Sequence, residues 1–240
     1  MTEILTLRNV TAGYGLITVL NDLSLSLRRG EILAVLGANG SGKSTVLKTT
    51  MGLTRVSSGE LTFDGTPITR MPAHERAANG LGYVPQNGNV FADMTVMDNL
   101  RMGAFLRPRE LAQAVEEVFA LFPRIRERSG EKAGNLSGGE RRMLSIGMTL
   151  LLKPKILLMD EPSSDLAPSM VDKVFQSIVE IHRSLSIPIL LVEQNVNQAL
   201  EISSRVCVLV RGHEAFDKPA ANLDPRELHH LFMDGGVRTS

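Results

Sequence analysis

The stretch ILAVLGANGSGKST, residues 32–45, decides the fold. Its five apolar residues, enough for a short buried strand, run directly into a glycine-rich loop that opens a helix. Such a loop lets backbone N–H groups face phosphates, and the start of the helix adds partial positive charge. The stretch therefore predicts a P-loop that binds ATP or GTP, with Lys43 reaching the β- and γ-phosphates and Ser44 holding Mg²⁺. The predicted nucleotide-binding residues of the loop are Gly37, Asn39, Gly40, Gly42, Lys43, Ser44 and Thr45.

A second strand-sized run supplies acidic partners for the loop. In KILLMDEP, residues 155–162, the apolar residues lead directly to Asp160 and Glu161. Ligands of open α/β sheets bind at the carboxyl ends of the strands, so both acids should face the P-loop. We expect Asp160 to bind Mg²⁺ and Glu161 to polarise an attacking water, while Lys43 stabilises the phosphoryl group.

The rest of the chain predicts an α/β fold in a single domain, residues 1–240. Apolar runs alternate with helical patterns from residue 31 to residue 212, which is typical of a mostly parallel sheet covered by helices. Residues 1–30 and 58–69 alternate with period two, which indicates an antiparallel β layer. Strand signals are scarce in residues 87–135, so we predict a helical subdomain there, inserted into a P-loop NTPase core.

Composition limits the classes of function. Lys plus Arg equals Asp plus Glu, 26 each, so the chain has no overall basic field to attract nucleic acid. No apolar run reaches the roughly 18 residues of a membrane-spanning helix, and the N-terminal residues lack the pattern of a secretory signal. The single cysteine, Cys207, cannot form an internal disulfide. We expect a cytoplasmic protein with no nucleic-acid partner.

The segment NLSGGERRM, residues 135–143, separates this chain from other P-loop proteins. Ser137, followed by Glu140 three residues later, predicts a capping box at the head of a helix. That box does not explain two consecutive glycines, which cost about 1 kcal/mol each in a helix interior and suit the close approach of a backbone or phosphate. We infer a second anion site at Ser137, Gly138 and Gly139, which serves the nucleotide of a facing subunit.

This segment also carries a family resemblance. LSGGE, placed after the P-loop and before the acidic strand, resembles the signature of ABC ATPases, and the resemblance covers the chain from residue 4 to about residue 233. It implies the ABC ATPase fold, a dimer that closes on ATP, and hydrolysis with Mg²⁺. It also implies that Tyr14 stacks on adenine, that Gln86 is the Q-loop residue near Mg²⁺, and that residues 163–168 form the D-loop.

One branch of the family matches in further segments, among them PAHERAANGLGYVPQ, LFPRIRER and LLVEQN. These segments are similar to the ATP-binding subunits of bacterial importers of hydrophobic (branched-chain) amino acids, including related amide and urea systems. The resemblance implies transmembrane permease partners, a second ATPase subunit, and an indirect link to a solute-binding protein. It also implies a position on the inner face of the cell membrane. The solute, the direction of transport, and the choice between homodimer and heterodimer stay open.

Three positions depart from the family pattern: Gln194 replaces the switch histidine, Asp165 a D-loop glycine, and Met148 an arginine. Gln194 can donate a hydrogen bond to the γ-phosphate but cannot become cationic, so we expect a catalytic role alongside Glu161 and Lys43. The alternative is that Gln194 only caps the following helix. Whether the three changes lower the rate of ATP hydrolysis stays open.

Several other functions stay open at this point. A small-molecule kinase would use the same P-loop but has no use for LSGGE. A soluble ABC ATPase of DNA repair or translation usually carries a long coiled coil or two linked halves, neither of which this sequence has. The remaining alternatives are a catalytically inactive binding partner and the ATPase of a different transporter, such as a urea, lipid or export system.

Overall fold

The computed structural model describes residues 2–105, 110–226 and 228, and its centre is a six-stranded sheet. The strand order is β10-β9-β3-β8-β7-β6. All neighbours pair in parallel except β10, which lies antiparallel to β9 at one edge. The strands are β3 (Ile32–Leu36), β6 (Leu81–Val84), β7 (Ile156–Asp160), β8 (Ile189–Val192), β9 (Arg205–Val210) and β10 (His213–Pro219).

Both faces of this sheet are covered, which explains why its central strands are apolar throughout. Every residue of β3, β7 and β8 is buried. In β8, Ile189 and Leu191 pack with the helices on one face, whereas Leu190 and Val192 pack with the N-terminal strands on the other. The helices are α1 (Lys43–Met51), α2 (Ala73–Ala78), α3 (Val96–Gly103), α4 (Leu111–Leu121), α5 (Pro123–Glu127), α6 (Gly138–Leu150), α7 (Pro168–Leu185) and α8 (Val196–Ile202). The predicted mostly parallel sheet is confirmed.

The predicted antiparallel β layer is also confirmed. It contains four strands in the order β2-β1-β4-β5, and alternate residues such as Leu23, Leu25 and Leu27 are buried against the core. The third strand begins at Arg55, three residues earlier than the sequence pattern indicated. The strands are β1 (Glu3–Tyr14), β2 (Ile17–Arg28), β4 (Arg55–Phe63) and β5 (Thr66–Pro67). Helix α1 packs between this layer and the parallel sheet.

The described residues between 87 and 135 contain the helices α3, α4 and α5 and a 3₁₀ turn at Ala133–Asn135, joined by loops. An isolated antiparallel β-bridge joins Thr95 and Lys132 in this range. Pro123 occupies the first position of α5, where its missing N–H costs nothing. Within the described residues, no helix is both long and apolar enough to cross a membrane.

A buried ion cluster joins the antiparallel layer to the parallel sheet. Arg205, at the start of β9, donates to both carboxylate oxygens of Glu31, at 2.8 and 3.0 Å, and also to Asp217 and the backbone oxygen of Ser26. Glu31 accepts a further bond from the backbone N–H of Arg28 at 2.8 Å. Burial alone would raise the pKa of Glu31, but the bonds from Arg205 and Arg28 outweigh it and lower that pKa. The cluster therefore ties β2 to β9 and β10.

We predict that Arg205→Met lowers the free energy of unfolding by about 3 kcal/mol, because it leaves buried carboxylates without their cation. Denaturant unfolding at neutral pH measures the change. Arg124 has a side chain that is 76% exposed, so Arg124→Met serves as the control and should change stability by less than about 0.5 kcal/mol. Equal losses from the two variants would contradict the role of the cluster.

Candidate functional site

The glycine-rich loop lies between β3 and α1 and has the shape of an anion site. Gly40 and Gly42 have φ values of 79° and 103°, a region that favours glycine. Helix α1 has no side-chain cap, so the orphan N–H groups of its first turn suit an anion. The hydroxyl of Ser41 is buried and has no hydrogen-bond partner among the described residues, which fits a phosphate oxygen. Sequence reasoning had not singled out Ser41.

Lys43 is buried inside this loop, with 4% of its surface exposed. Its ammonium donates to the backbone oxygens of Gly37 at 3.0 Å and Ala38 at 3.1 Å, and it lies 3.8 Å from Oε1 of Glu161. Burial lowers the pKa of Lys43, whereas the nearby carboxylates, Glu161 foremost, oppose that shift. The ammonium is thus placed between the loop and the acidic end of β7.

Asp160 is the last residue of β7, and it is held by two hydroxyl groups. Ser44 Oγ donates to Oδ1 at 2.8 Å, and the phenol of Tyr83, on the neighbouring strand β6, donates to Oδ2 at 3.2 Å. Burial raises the pKa of Asp160, and the two hydroxyl bonds oppose this shift. Burial, followed by the charge of Asp160, raises the pKa of Tyr83. Sequence reasoning missed Tyr83, which belongs to the same GYVPQ segment as Gln86.

Glu161 is clamped by two amides, one from each neighbouring loop. Gln194 Nε2 donates to Oε1 at 2.7 Å, and Gln86 Nε2 donates to Oε2 at 3.2 Å. The backbone of Glu161 has a φ of 43°, in the left-handed region, where a residue other than glycine costs of order 1–3 kcal/mol. Such strain is typical of functional sites. The structure therefore brings together three of the predicted site residues, Gln86, Glu161 and Gln194.

The oxygen ligands at this edge fit Mg²⁺. Ser44 Oγ and Asp160 Oδ1 are already in contact, and no group of three or more His, Cys, Asp or Glu in the described part of the chain could hold a metal ion. The pair of Ser44 and Asp160 suits Mg²⁺, which binds proteins through one or two carboxylates and completes its shell with substrate phosphates and water. Gln86, also predicted as a metal ligand, bonds Glu161 rather than Asp160.

The signature segment heads α6 and forms the predicted capping box. Ser137 Oγ accepts from the N–H of Glu140 at 3.3 Å, and Glu140 Oε2 accepts from the N–H of Ser137 at 2.8 Å. The two glycines also have a packing role that the sequence did not reveal. A Cβ on Gly138 would lie 3.2 Å from Leu166, and one on Gly139 would lie 2.0 Å from Met170. Packing within the chain thus accounts for part of the glycine requirement.

The remaining nucleotide-binding predictions lie around the loop. Tyr14 is the last residue of β1 and is 42% exposed. The hairpin of β1 and β2 packs against the loop: a Cβ added to Gly42 would lie 3.1 Å from the side chain of Leu20. Asn39 is exposed at the tip of the loop, and Thr45 is buried in α1. The hairpin therefore borders the anion site, and Tyr14 is an exposed aromatic residue on that hairpin.

The three departures from the family pattern each have a local explanation. Asn195, not Gln194, caps α8, because its Oδ1 accepts from the N–H of Gln198 at 3.3 Å. Asp165 has a φ of 60°, a conformation that aspartate tolerates better than most residues. Met148 is buried in the core, next to Gly103 of α3. A Cβ added to Gly103 would lie 2.6 Å from the backbone oxygen of Met148. Met148 is therefore a packing residue between α3 and α6.

Two further buried polar residues support the site, and sequence reasoning missed both. Arg142, on α6, donates to the backbone oxygens of Pro85 at 2.8 Å and Gln86 at 2.7 Å. Glu193 follows β8 directly and binds the loop after β7 through Ser163. A polar residue at the end of a buried strand is the signal that could have identified Glu193, as it identified Asp160.

Comparisons with known proteins agree with this geometry. A family model described as ABC transporter matches residues 20–164. The probable branched-chain amino acid transport ATP-binding protein LivF of Archaeoglobus fulgidus is 41% identical over 215 residues, 89% of this chain and 91% of that protein. The high-affinity branched-chain amino acid transport ATP-binding protein BraG of Pseudomonas aeruginosa is 39% identical, over 94% of this chain and 97% of that protein.

More distant similarities extend the same pattern. The lipopolysaccharide export system ATP-binding protein LptB of Escherichia coli is 32% identical over 98% of both chains. A crystal structure of an ATP-binding cassette of an ABC transporter in its ADP conformation superposes with a TM-score of 0.82, at 25% identity, over 98% of this chain and 96% of that one. Because the family match spans more than half of the chain and the relatives align over nearly all of it, this chain belongs to the ABC transporter family.

Proposed function

We propose that this chain is the ATP-binding and ATP-hydrolysing subunit of an ABC importer, and that it energises the uptake of branched-chain amino acids or related amides. One observation supports the ATPase most strongly: Lys43, Ser44, Asp160 and Glu161 meet at one sheet edge. There Ser44 donates to Asp160 at 2.8 Å and Lys43 forms an ion pair with Glu161 at 3.8 Å. The solute class is drawn from the names of the two relatives near 40% identity. The ATPase itself does not choose the solute, which is recognised by the permease and binding protein.

Each residue of the group has a proposed task. The loop residues Gly37, Asn39, Gly40, Gly42 and Thr45 bind the phosphates together with Lys43, and Tyr14 stacks on adenine. Ser44 and Asp160 would hold Mg²⁺, with Gln86 nearby, and the ion would neutralise charge on the phosphate oxygens. Glu161 polarises the attacking water, while Gln194 donates to the γ-phosphate.

The amide clamp on Glu161 sets a condition for hydrolysis. Both carboxylate oxygens accept a hydrogen bond from an amide in this structure, so one lone pair of each oxygen is engaged and the carboxylate is held in one orientation. We infer that a γ-phosphate entering beside Gln194 draws its amide from Glu161 and releases one oxygen. Substrate binding would then activate the base, and the nucleotide-free site would stay inactive.

The second half of the proposal is a dimer on a membrane partner. Ser137, Gly138 and Gly139, at the head of α6, would contact the nucleotide of a second ATPase subunit. Residues 87–135 would form the helical subdomain of a single ABC ATPase domain, 1–240, and would receive the permease. Their exposed apolar side chains fit a docking surface: Phe91 is 48% exposed, Met102 47% and Phe105 78%. Through the permease, the chain would lie on the cytoplasmic face of the membrane, linked indirectly to a solute-binding protein and without nucleic acid.

An ATPase of an export system is the second candidate, favoured by the lipopolysaccharide export relative that aligns over 98% of the chain. The two candidates differ in the membrane protein that they bind. Identification of the permease that co-purifies with the chain from its native membranes separates them, because an amino acid permease supports import and a lipid-export partner contradicts it.

Lys43→Ala should lower ATP turnover by roughly 10²-fold or more, because it removes the charge that stabilises the transferring phosphoryl group. Steady-state phosphate release with saturating Mg-ATP measures the effect. Lys173→Ala is the matched control, since Lys173 is exposed on α7, and it should retain full turnover. Normal turnover in Lys43→Ala would rule out the loop as the catalytic nucleotide site.

Glu161→Gln should keep ATP binding and lose roughly 10²-fold in hydrolysis, the scale of a lost general base. Since ATP then persists between two signature-bearing subunits, the variant should migrate as a dimer with ATP and as a monomer with ADP in size-exclusion chromatography. A monomer with both nucleotides would contradict the composite site.

Gln194→Ala should lower turnover by an amount equivalent to about 2–4 kcal/mol of transition-state stabilisation, because a donor to the phosphate is lost. Gln194→His should retain activity and add a pH dependence around the ordinary histidine pKa of about 6.5. Gln198→Ala provides the control, because Gln198 bonds Asp172 at the surface of α7 and α8. Equal turnover in Gln194→Ala and wild type would remove Gln194 from catalysis.

A further inference from the structure

Glu193 is a buried carboxylate that has no task in the proposed reaction. It follows β8 directly and is 1% exposed. Oε1 accepts from the backbone N–H of Ser163 at 2.9 Å, and Oε2 accepts from the Ser163 hydroxyl at 2.9 Å. Oε2 also accepts from the backbone N–H groups of Gln194 at 3.0 Å and Asn195 at 3.3 Å. All four donors belong to two loops, one after β7 and one after β8.

The setting of Glu193 is costly for a residue without a function. The hydrogen-bond donors to its carboxylate are neutral, and burial raises its pKa while the bonds from Ser163, Asn195 and Gln194 oppose the shift. The positive charges of Arg142 and Lys43 also act on Glu193. A buried carboxylate that is bonded by neutral donors is nevertheless costly compared with an apolar side chain of similar size. What the carboxylate adds is a direct hydrogen-bonded connection between the loop after β7 and the loop after β8.

The connection closes a ring of contacts around the amide clamp. Gln194, whose backbone Glu193 holds, donates its side-chain amide to Glu161 at 2.7 Å. Ser163 lies two residues after Glu161 in the chain. The turn that contains both residues is closed by Ser164, whose hydroxyl donates to the backbone oxygen of Glu161 at 2.9 Å. The ring therefore runs through Glu161, Gln194, Glu193 and Ser163.

We propose that Glu193 is a positioning residue: it binds the backbone of Gln194 to Ser163, so that the Gln194 amide follows the movement of residues 163–168. This inference rests on the proposed function. In the proposed dimer, residues 163–168 resemble the D-loop, which faces the second subunit. Glu193 would thus make the position of Gln194 at the γ-phosphate depend on closure of the dimer.

Glu193→Gln tests the proposal with little change in volume. If the nitrogen of the new amide replaces Oε1, it faces the N–H of Ser163, and if it replaces Oε2, it faces the N–H groups of Gln194 and Asn195. Backbone N–H groups cannot accept a hydrogen bond, so either orientation weakens the link. We expect turnover to fall about 10-fold, the scale of one lost hydrogen bond to a charged group, while KM for ATP changes by less than about 2-fold. Glu201→Gln, an exposed acid on α8, is the control and should match wild type.

The decisive measurement is the same substitution in the Gln194→Ala background. If Glu193 acts through Gln194, then Glu193→Gln should cost less than about 2-fold there, because residues in one network are not additive. An independent residue would give the 10-fold loss in both backgrounds, and that result would overturn the proposal. Unchanged turnover in the single variant would also overturn it.

Ser163→Ala keeps the test available if Glu193→Gln does not fold. It removes the hydroxyl donor and leaves the carboxylate bound by the three N–H groups, so it should lower turnover a few-fold, and only when Gln194 is present. Additive losses would overturn the proposal here too. Failure of the proposed function is distinct: it would appear as turnover that survives Lys43→Ala, whereas failure of this inference alone leaves turnover dependent on Lys43.

Discussion

The register of three parallel strands is the constraint on which the site depends. Val35 of β3 and Asp160 of β7 both pair with Val192 of β8, so the three strands end at the same level. The backbone continues this alignment, since Glu161 N–H donates to Val192 O and Glu193 N–H donates to Val35 O. The glycine-rich loop, the acidic pair and the Glu193–Gln194 pair therefore emerge side by side. A slip of one residue would move the acidic side chains to the opposite face of the sheet.

This alignment concentrates opposing charges in a buried space. Lys43, Asp160, Glu161 and Glu193 are each less than 10% exposed. Burial shifts the pKa values of Lys43, Asp160 and Glu193 toward their neutral forms, whereas hydrogen bonds and opposite charges within the site restrain the shifts. The strained backbone of Glu161 adds a further cost. The covered faces of the sheet supply the packing that holds such a site in place.

Features of the fold and the site could be predicted from the sequence where they depend on a local, continuous pattern. The loop at residues 32–45 and the acidic strand end are continuous patterns, and strand alternation fixed the class of fold. Tyr83 and Arg142 were missed because their partners lie 77 and 57 residues away and meet them only through tertiary packing. Glu193 stands at a strand end, as Asp160 does, but its contact with Ser163, 30 residues away, could not be read from that position. The packing of Gly139 on Met170 was missed for the same reason. Gln86, Glu161 and Gln194 were each named from the sequence, but the hydrogen bonds between them were not, because those bonds depend on the strand register.

If the residues at this sheet edge hold ATP for hydrolysis between two copies or related subunits, a structure of the Glu161→Gln variant with Mg-ATP should show the nucleotide in that position. We expect the γ-phosphate to contact Lys43 and the Gln194 amide, Mg²⁺ to lie on Ser44 and Asp160, and Ser137 to Gly139 of a second subunit to close the opposite side. A nucleotide bound without contact to Lys43, or held by one subunit alone, would exclude this arrangement.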